Sequence, residues 1–386
     1  VNFFIGIALG ANVVIANAIG REDTDAAHRA VHTAVVVAVL GGALVTVLGE
    51  LVAGPALRAL NVPAEVLPYA LLYLRIYLLG VPVILLYNFE AAIFRSVGDT
   101  RVPLQTLAFS GVLNVLLNLF FVIVLHMTVN GVATATVLSN AISSVLLFVR
   151  LRRSDKAIHL EWAALRIDRR SLQKILQIGI PAGIQSAVFS ISNIVIQSAI
   201  NSLGTVVMAA SSAAFNIEVV AYDVLNSFSQ ACTTFVGQNY GAGKLDRCRK
   251  TLVLCLVEDA LASGIAILLV LGSGHFLLSL FNRDPEVIAL GYTRLMTVFT
   301  AYFFSMLYEV MSGYLRGFGI SLVPALLTML GVCGVRILWI ATAFPRSRTF
   351  QTILLAYPLS LAATAVLILL ALLIYHPSRR TKGETV

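Results

Sequence analysis

Long apolar runs joined by short polar segments dominate the chain. They fall near 1–18, 30–54, 67–94, 104–125, 131–149, 175–202, 208–236, 251–275, 287–315, 324–344 and 351–375. Most reach the roughly 20 residues that a helix needs to cross a bilayer. They are continuous, without the residue-by-residue alternation of a membrane barrel strand. The pattern therefore predicts an all-α membrane protein with about eleven spans, the first of them incomplete. Pro82, Pro181 and Pro358 fall inside runs, where membrane helices accept them more readily than soluble ones do. The only long polar stretch, 150–174, reads as a linker.

Composition strengthens this picture. Of 386 residues, 59% are hydrophobic and 12% charged, about half the charge of an ordinary soluble domain. So little charge cannot cover a water-soluble globule, and so much apolar surface excludes disorder. The four cysteines form no CxxC pair, which leaves neither a zinc nor a redox motif. The net charge of +8 is explained by its distribution. Joints on one side hold 20 of the 27 Lys and Arg, including eight between Arg150 and Lys174, while the other side holds four. Arg75, Arg294 and Arg336 lie inside runs. The positive-inside rule makes the first side cytoplasmic, together with the C-terminal tail. The positive charge then reports topology and anionic lipid, not nucleic acid.

The sequence also repeats itself at an offset of 221 residues. Gly20 matches Gly241, Asp25 matches Asp246, Asn61 matches Asn282 and Glu65 matches Glu286. Tyr87, Arg95, Gly98 and Pro103 match Tyr308, Arg316, Gly319 and Pro324. Matched residues fall on the same membrane side, so the halves are parallel repeats, an arrangement transporters use with the substrate site between them. The expected organisation is an N-terminal lobe over 1–149, a cytoplasmic linker over 150–174, a C-terminal six-helix lobe over 175–375 and a cytoplasmic tail over 376–386. Shifting 175–202 back by the offset lands before residue 1. The first lobe is thus expected to lack one helix and part of the next.

Four stretches stand out: Gly179-Ile-Pro181, Phe235-Val-Gly237-Gln238-Asn239-Tyr-Gly241-Ala-Gly243, Leu315-Arg316-Gly317-Phe-Gly319 and Phe94-Arg95-Ser-Val-Gly98-Asp99-Thr100 with Pro103. Together they resemble the multidrug and toxic compound extrusion family, in the superfamily that also holds lipid-linked oligosaccharide flippases. The resemblance covers essentially the whole chain. It implies a twelve-helix, two-lobed exporter of cationic or amphipathic compounds, driven by a proton or sodium gradient. Departures stand out. A family pattern of Asn and Asp four apart reads Asn114 and Asn118, the run 175–202 holds no acid, and a position often occupied by Asp is Ser305.

Polar residues inside runs are the candidate transport site, because an ionised group at the bilayer centre costs at least about 2.5–3.5 kcal/mol. Asn216, Asp223, Ser227, Gln230 and Thr234 form one helical stripe. Ser186, Ser190, Asn193, Gln197 and Asn201 form another, and Tyr302, Ser305, Glu309, Ser312 and Arg316 a third. These faces predict a wet cavity; the simpler alternative is interhelical hydrogen bonding, worth about 0.6 kcal/mol per contact. Asp223 lies roughly 21 Å from the cytoplasmic end and Arg336 roughly 18 Å. Equal depth suggests a pair, with Glu309 as a competing partner for Arg336. Glu218 is expected to face water at the outer end, and Glu90, Glu258 and Asp259 to snorkel.

No catalytic constellation is present, which weighs against an enzyme. His28 and His32 lack an acidic partner for a metal, and no cofactor is expected beyond a coupling H+ or Na+. The spans hold six acids (Glu90, Glu218, Asp223, Glu258, Asp259, Glu309) against three arginines. That balance favours a small cationic substrate over the pyrophosphate headgroup a lipid-linked flippase would handle. The chain is read as a monomeric multi-pass protein of a bacterial cell membrane, surrounded by lipid.

Overall fold

The computed structural model describes residues 1–59, 63–154 and 157–377. The described residues form thirteen α-helices, with no strand among them. They are α1 (Asn2–Gly20), α2 (Thr24–Ala59), α3 (Leu67–Ser96), α4 (Arg101–Leu119), α5 (Val129–Arg152), α6 (Arg169–Asn201) and α7 (Thr205–Gly241). Then follow α8 (Leu245–Ser279), α9 (Pro285–Thr300), α10 (Tyr302–Gly317), α11 (Leu322–Thr328), α12 (Val335–Thr342) and α13 (Phe350–Tyr375). A π-helical turn, Phe120–Val124, extends α4, and another, Met329–Gly334, joins α11 to α12. Ten helical stretches are long and apolar enough to cross a membrane.

The run 287–315, read from sequence as one span, is two helices. α9 and α10 meet at 46°. At the bend the N–H of Ala301 bonds back to Val298 and that of Phe304 to Ala301. These tighter i to i−3 bonds replace the α-helical ladder and turn the chain. Counted as one crossing, the pair makes an eleventh span.

The repeat is built into the element boundaries. α1 and α7 end at Gly20 and Gly241, α2 and α8 start at Thr24 and Leu245, and α3 and α10 end at Ser96 and Gly317. α4 and α11 open at Arg101 and Leu322, and α5 and α13 at Val129 and Phe350. Every pair differs by the same 221 residues. The turn after α3 uses Gly98 at φ 79° and its partner Gly319 at φ 84°, a backbone region that costs glycine little and other residues more. The Asn61–Asn282 match falls partly outside the described residues.

The chain divides into two compact units, Val1–Ile180 and Pro181–Val386. In the first, Ile7 and Ile15 of α1, Val31 and Val35 of α2, Phe89 and Ile93 of α3 and Leu147 of α5 share one core. α1 approaches the start of α6 backbone to backbone. A side chain at Gly10 would strike the carbonyl of Ile175, and one at Gly179 would strike the Cα of Ile7. That gives the Gly179-Ile-Pro181 motif a packing reason.

The stretch after α5 is fastened down. Ile158 and Leu160 are buried in the core of the first unit. The Glu161 N–H donates to His32 Nε2 at 3.0 Å, and the Asp168 N–H to Thr33 Oγ1 at 2.9 Å. The Asp168 carboxylate accepts the Ser171 N–H at 2.8 Å at the start of α6. The backbone N–H and hydroxyl of Ser171 hold its carboxyl below the usual carboxylate range. In the second unit, Ile196, Ala214, Leu225, Leu295, Phe299 and Ile353 belong to the largest core.

Candidate functional site

The second unit concentrates polar chemistry inside an apolar bundle. α7 and α10 run against each other along a seam of small residues. Ser229 Oγ donates to the Glu309 carbonyl at 2.8 Å, and Thr233 Oγ1 to the Gly313 carbonyl at 3.0 Å. A side chain on Gly313 would strike Ser229. This close approach brings the Tyr222 hydroxyl to 2.9 Å from Glu309 Oε1, to which it donates. Glu309 is buried and, among the described residues, makes no ion pair.

Deeper in the same unit lies a buried ion pair that the sequence reading did not anticipate. Arg294 of α9 donates from Nε to Glu218 Oε1 at 2.7 Å and from a terminal nitrogen to Oε2 at 2.8 Å. The fork-on-fork geometry is the strong form of this interaction. Arg294 also donates to Ser211 Oγ and, at 3.3 Å, to the Tyr357 hydroxyl. The side chains of Arg294 and Glu218 are only 2% and 6% exposed. The expectation that Glu218 faces water is therefore wrong. It sits on the inward face of α7, where a guanidinium replaces the lost hydration.

Arg336 of α12 does not pair with Asp223 or Glu309. It lies over the Tyr357 ring at 4.4 Å to the centroid and donates from Nε to Ser360 Oγ at 3.0 Å. Arg294 stands 5.4 Å from the centroid of the same ring, so one tyrosine faces two guanidiniums. Asp223 points to the other side of α7 and is exposed, with no hydrogen bond or ion pair among the described residues. Asp223 is exposed and Arg336 buried, so the two side chains leave their helices into different surroundings.

Two further expectations fail. Asp259 and Glu90 do not snorkel; both are fully buried. Asp259 accepts from Ser263 Oγ at 2.6 Å, and its other oxygen is unpartnered. Glu90 accepts from Ser144 Oγ at 3.0 Å, and its second oxygen is likewise unpartnered. Glu258 is exposed.

The remaining candidates divide by environment. On α7, Asn216 is exposed and bonds back to Ser212, and Gln230 is half-buried. On α6, Asn193 and Gln197 are exposed, Gln197 donating to Asn201 at 2.7 Å. Tyr302 is buried, its hydroxyl 3.4 Å from the Glu218 carbonyl. In the first unit, Asn118 Nδ2 donates to the side chain of Asn114 at 3.0 Å, and Asn114 Nδ2 to Ser139 Oγ at 3.2 Å. These two belong to an α4–α5 seam. Tyr222, Tyr357 and Ser211 were missed, since a hydroxyl on an apolar helix carries no sequence signal until its partner is known. Among the described residues no three His, Cys, Asp or Glu gather as a metal site. Carboxylates beside hydroxyls, without cationic neighbours, suit a proton or a monovalent cation.

The MatE family profile matches residues 1–120 and 181–341. The probable multidrug resistance protein YoeA of Bacillus subtilis is 26% identical over 346 residues, covering 87% of this chain and 74% of that protein. The probable multidrug resistance protein NorM of Thermotoga maritima is 26% identical over 357 residues, covering 90% and 75%. A solved MOP superfamily transporter from Pyrococcus furiosus shares the fold, with a TM-score of 0.91 and 19% identity over 98% of this chain and 86% of that one.

Proposed function

Because the chain belongs to the MatE family of multi-pass membrane transporters, we propose that it exports small cationic or amphipathic compounds in exchange for protons or sodium ions. The observation that carries this reading is Glu309, a buried carboxylate held by the Tyr222 hydroxyl and balanced by no ion pair among the described residues. Such a group changes charge or recruits a cation at modest cost, whereas a paired one is spent. Asp223 is the next residue to Tyr222 on α7 and is exposed. It meets the substrate cation, and Tyr222 links that event to Glu309. Substrate at Asp223 and coupling ion at Glu309 then oppose each other's binding through Tyr222. Whichever wins biases the inward- or outward-open state by its differential affinity.

A flippase for pyrophosphate-linked lipids is less well supported. Of the three arginines within spans, Arg294 is neutralised by Glu218, and Arg75 lies 3.4 Å from Glu50. Arg336 alone cannot offset Asp223, Asp259, Glu309 and Glu90. The charge asymmetry of the joints makes 150–174 and the C-terminus cytoplasmic. The protein works as a monomer.

Proteoliposomes loaded with a fluorescent cation provide the test. An imposed proton or sodium gradient should drive transport by the parent protein. Asp223→Asn and Glu309→Gln should each lower gradient-driven transport at least about tenfold, a loss of roughly 1.4 kcal/mol in coupling, while remaining folded. Parent-like transport by both variants would overturn the assignment.

A further inference from the structure

The first unit contains an acid that neither the fold nor the proposed exchange at Glu309 requires. Glu90 lies on α3 inside the stretch Phe89–Phe94, every residue of which is buried. Phe89, Ala91, Ala92, Ile93 and Phe94 belong to the apolar core. Glu90 Oε2 accepts one hydrogen bond, from Ser144 Oγ of α5 at 3.0 Å. Oε1 is buried with no partner, as is the neighbouring hydroxyl of Ser143. Among the described residues nothing cationic compensates it. α1 carries no charged residue, and Arg101 of α4 and Arg150 and Arg152 of α5 are exposed. On α2, His32 is engaged with His28 and Glu161. On α3 itself, Tyr87 and Arg95 are the neighbouring titratable groups, and neither makes an ion pair with Glu90. A carboxylate so placed is expensive as an anion and much cheaper with a proton bound.

The repeat supplies an internal comparison. At the 221-residue offset, Glu90 corresponds to Met311 and Ser144 to Ala365. The helices carrying each pair keep that register, α3 and α10 by their ends and α5 and α13 by their starts. Met311 and Ala365 are buried together in an apolar cluster. The same helix contact is thus made once from Met and Ala and once from Glu and Ser. Packing alone does not call for the polar version.

We propose that Glu90, with Ser144, is a proton-binding site of the first unit, separate from the carboxylates of the second. It binds one proton as a neutral carboxylic acid and releases it to the bath as a carboxylate, while the Ser144 hydroxyl goes on donating to Oε2. The site lies about 8 Å of helix from Arg95, at the end of α3 that the charge pattern assigns to the cytoplasm. Release needs an opening between α3 and α5 that hydrates the anion. Proton loss therefore favours one packing of these two helices and proton binding the other. This rests on the transporter reading for its purpose, not for its chemistry.

Infrared difference spectroscopy of the reconstituted protein tests the site without any transport. Beside any contributed by Asp259 and Glu309, a protonated-carboxyl C=O band should be present at neutral pH, fade as the bath is made alkaline, and be missing in Glu90→Gln. The double variant Glu90→Met with Ser144→Ala copies the second repeat, so it should fold at least as well as the parent and also lack the band. An unchanged band in both variants, or one indifferent to alkaline pH in the parent, would overturn the proposal. In proteoliposomes, proton-driven cation transport should fall at least tenfold in both variants, while substrate counterflow at equal pH persists. Variants with the parent's pH profile would refute the role of Glu90 alone; a parent protein that moves no cation under any gradient would refute the transporter reading and leave the infrared result standing.

Discussion

Removing the Glu218 carboxylate should be among the most damaging single changes in the second unit, and more damaging than removing its partner. In Glu218→Leu, Arg294 keeps Ser211 and the Tyr357 hydroxyl but loses both charge-assisted bonds, at 2.7 and 2.8 Å. A guanidinium cannot discard its proton, so the charge stays, 2% exposed. Breaking a buried pair from one side costs about 3–5 kcal/mol. For a unit of about 200 residues that corresponds to a drop of roughly 6–20 °C in midpoint. Arg294→Met leaves a carboxylate, which can neutralise itself by taking up a proton, so its cost is smaller and grows as the bath becomes alkaline. The double variant Glu218→Leu with Arg294→Met removes both charges and should recover most of the loss, because well-packed apolar replacements of buried pairs are often neutral. The assay is the fraction of detergent-solubilised protein that stays monodisperse on size exclusion after heating, compared across the three variants at one heating rate. The reasoning fails if Glu218→Leu melts within a degree or two of the parent, or if the double variant is no better than that single one.

Three further outcomes follow from other parts of the molecule. Gly10→Ala and Gly179→Ala each place a methyl group against opposing backbone, and each should cost about 1–3 kcal/mol, read as a lower midpoint in the same melt. Asp168 has its carboxyl held low by Ser171, so its support of α6 is complete above the ordinary carboxylate range and disappears as pH falls through the lowered value; the protection of the Ser171 amide, measured against its intrinsic exchange rate at each pH, should fall on acidification, and Asp168→Asn should flatten that response. A cysteine at Ser154 should react in intact cells only with a membrane-permeant reagent, and labelling by an impermeant one would reverse the topology; Ser378, the matching probe in the tail, lies outside the described residues.

The positions of the spans were legible because hydropathy along a chain reports depth, and depth is what a bilayer imposes. The repeat was legible because boundary residues such as Gly98 and Gly319 answer to backbone geometry, not to surroundings. Direction around a helix was not legible. Apolar side chains suit both lipid and protein core, so a span such as α13 has little polar contrast to orient it. That is why Asp223 and Arg336 looked like partners, why Glu218 looked wet, and why Glu90, five residues from Arg95, looked like a snorkelling acid. The Glu218–Arg294 pair joins α7 to α9 across 76 residues, a match that no local spacing announces. The bend at Ala301 was hidden too, since no Gly or Pro marks it and hydropathy runs through it unbroken.

The four cysteines have a practical consequence. Cys232, Cys248, Cys255 and Cys333 are all free and buried, and all belong to the second unit; the first contains no thiol. A dye that fluoresces on alkylation therefore sees nothing in the native protein and reports only when the second unit opens. Trp162 lies in the first unit and Trp339 in the second, so Trp339→Phe would leave indole emission to the first unit alone. The parent sequence, one substitution away, carries two spectrally separate reporters, and with them the order in which its halves come apart becomes a measurable quantity.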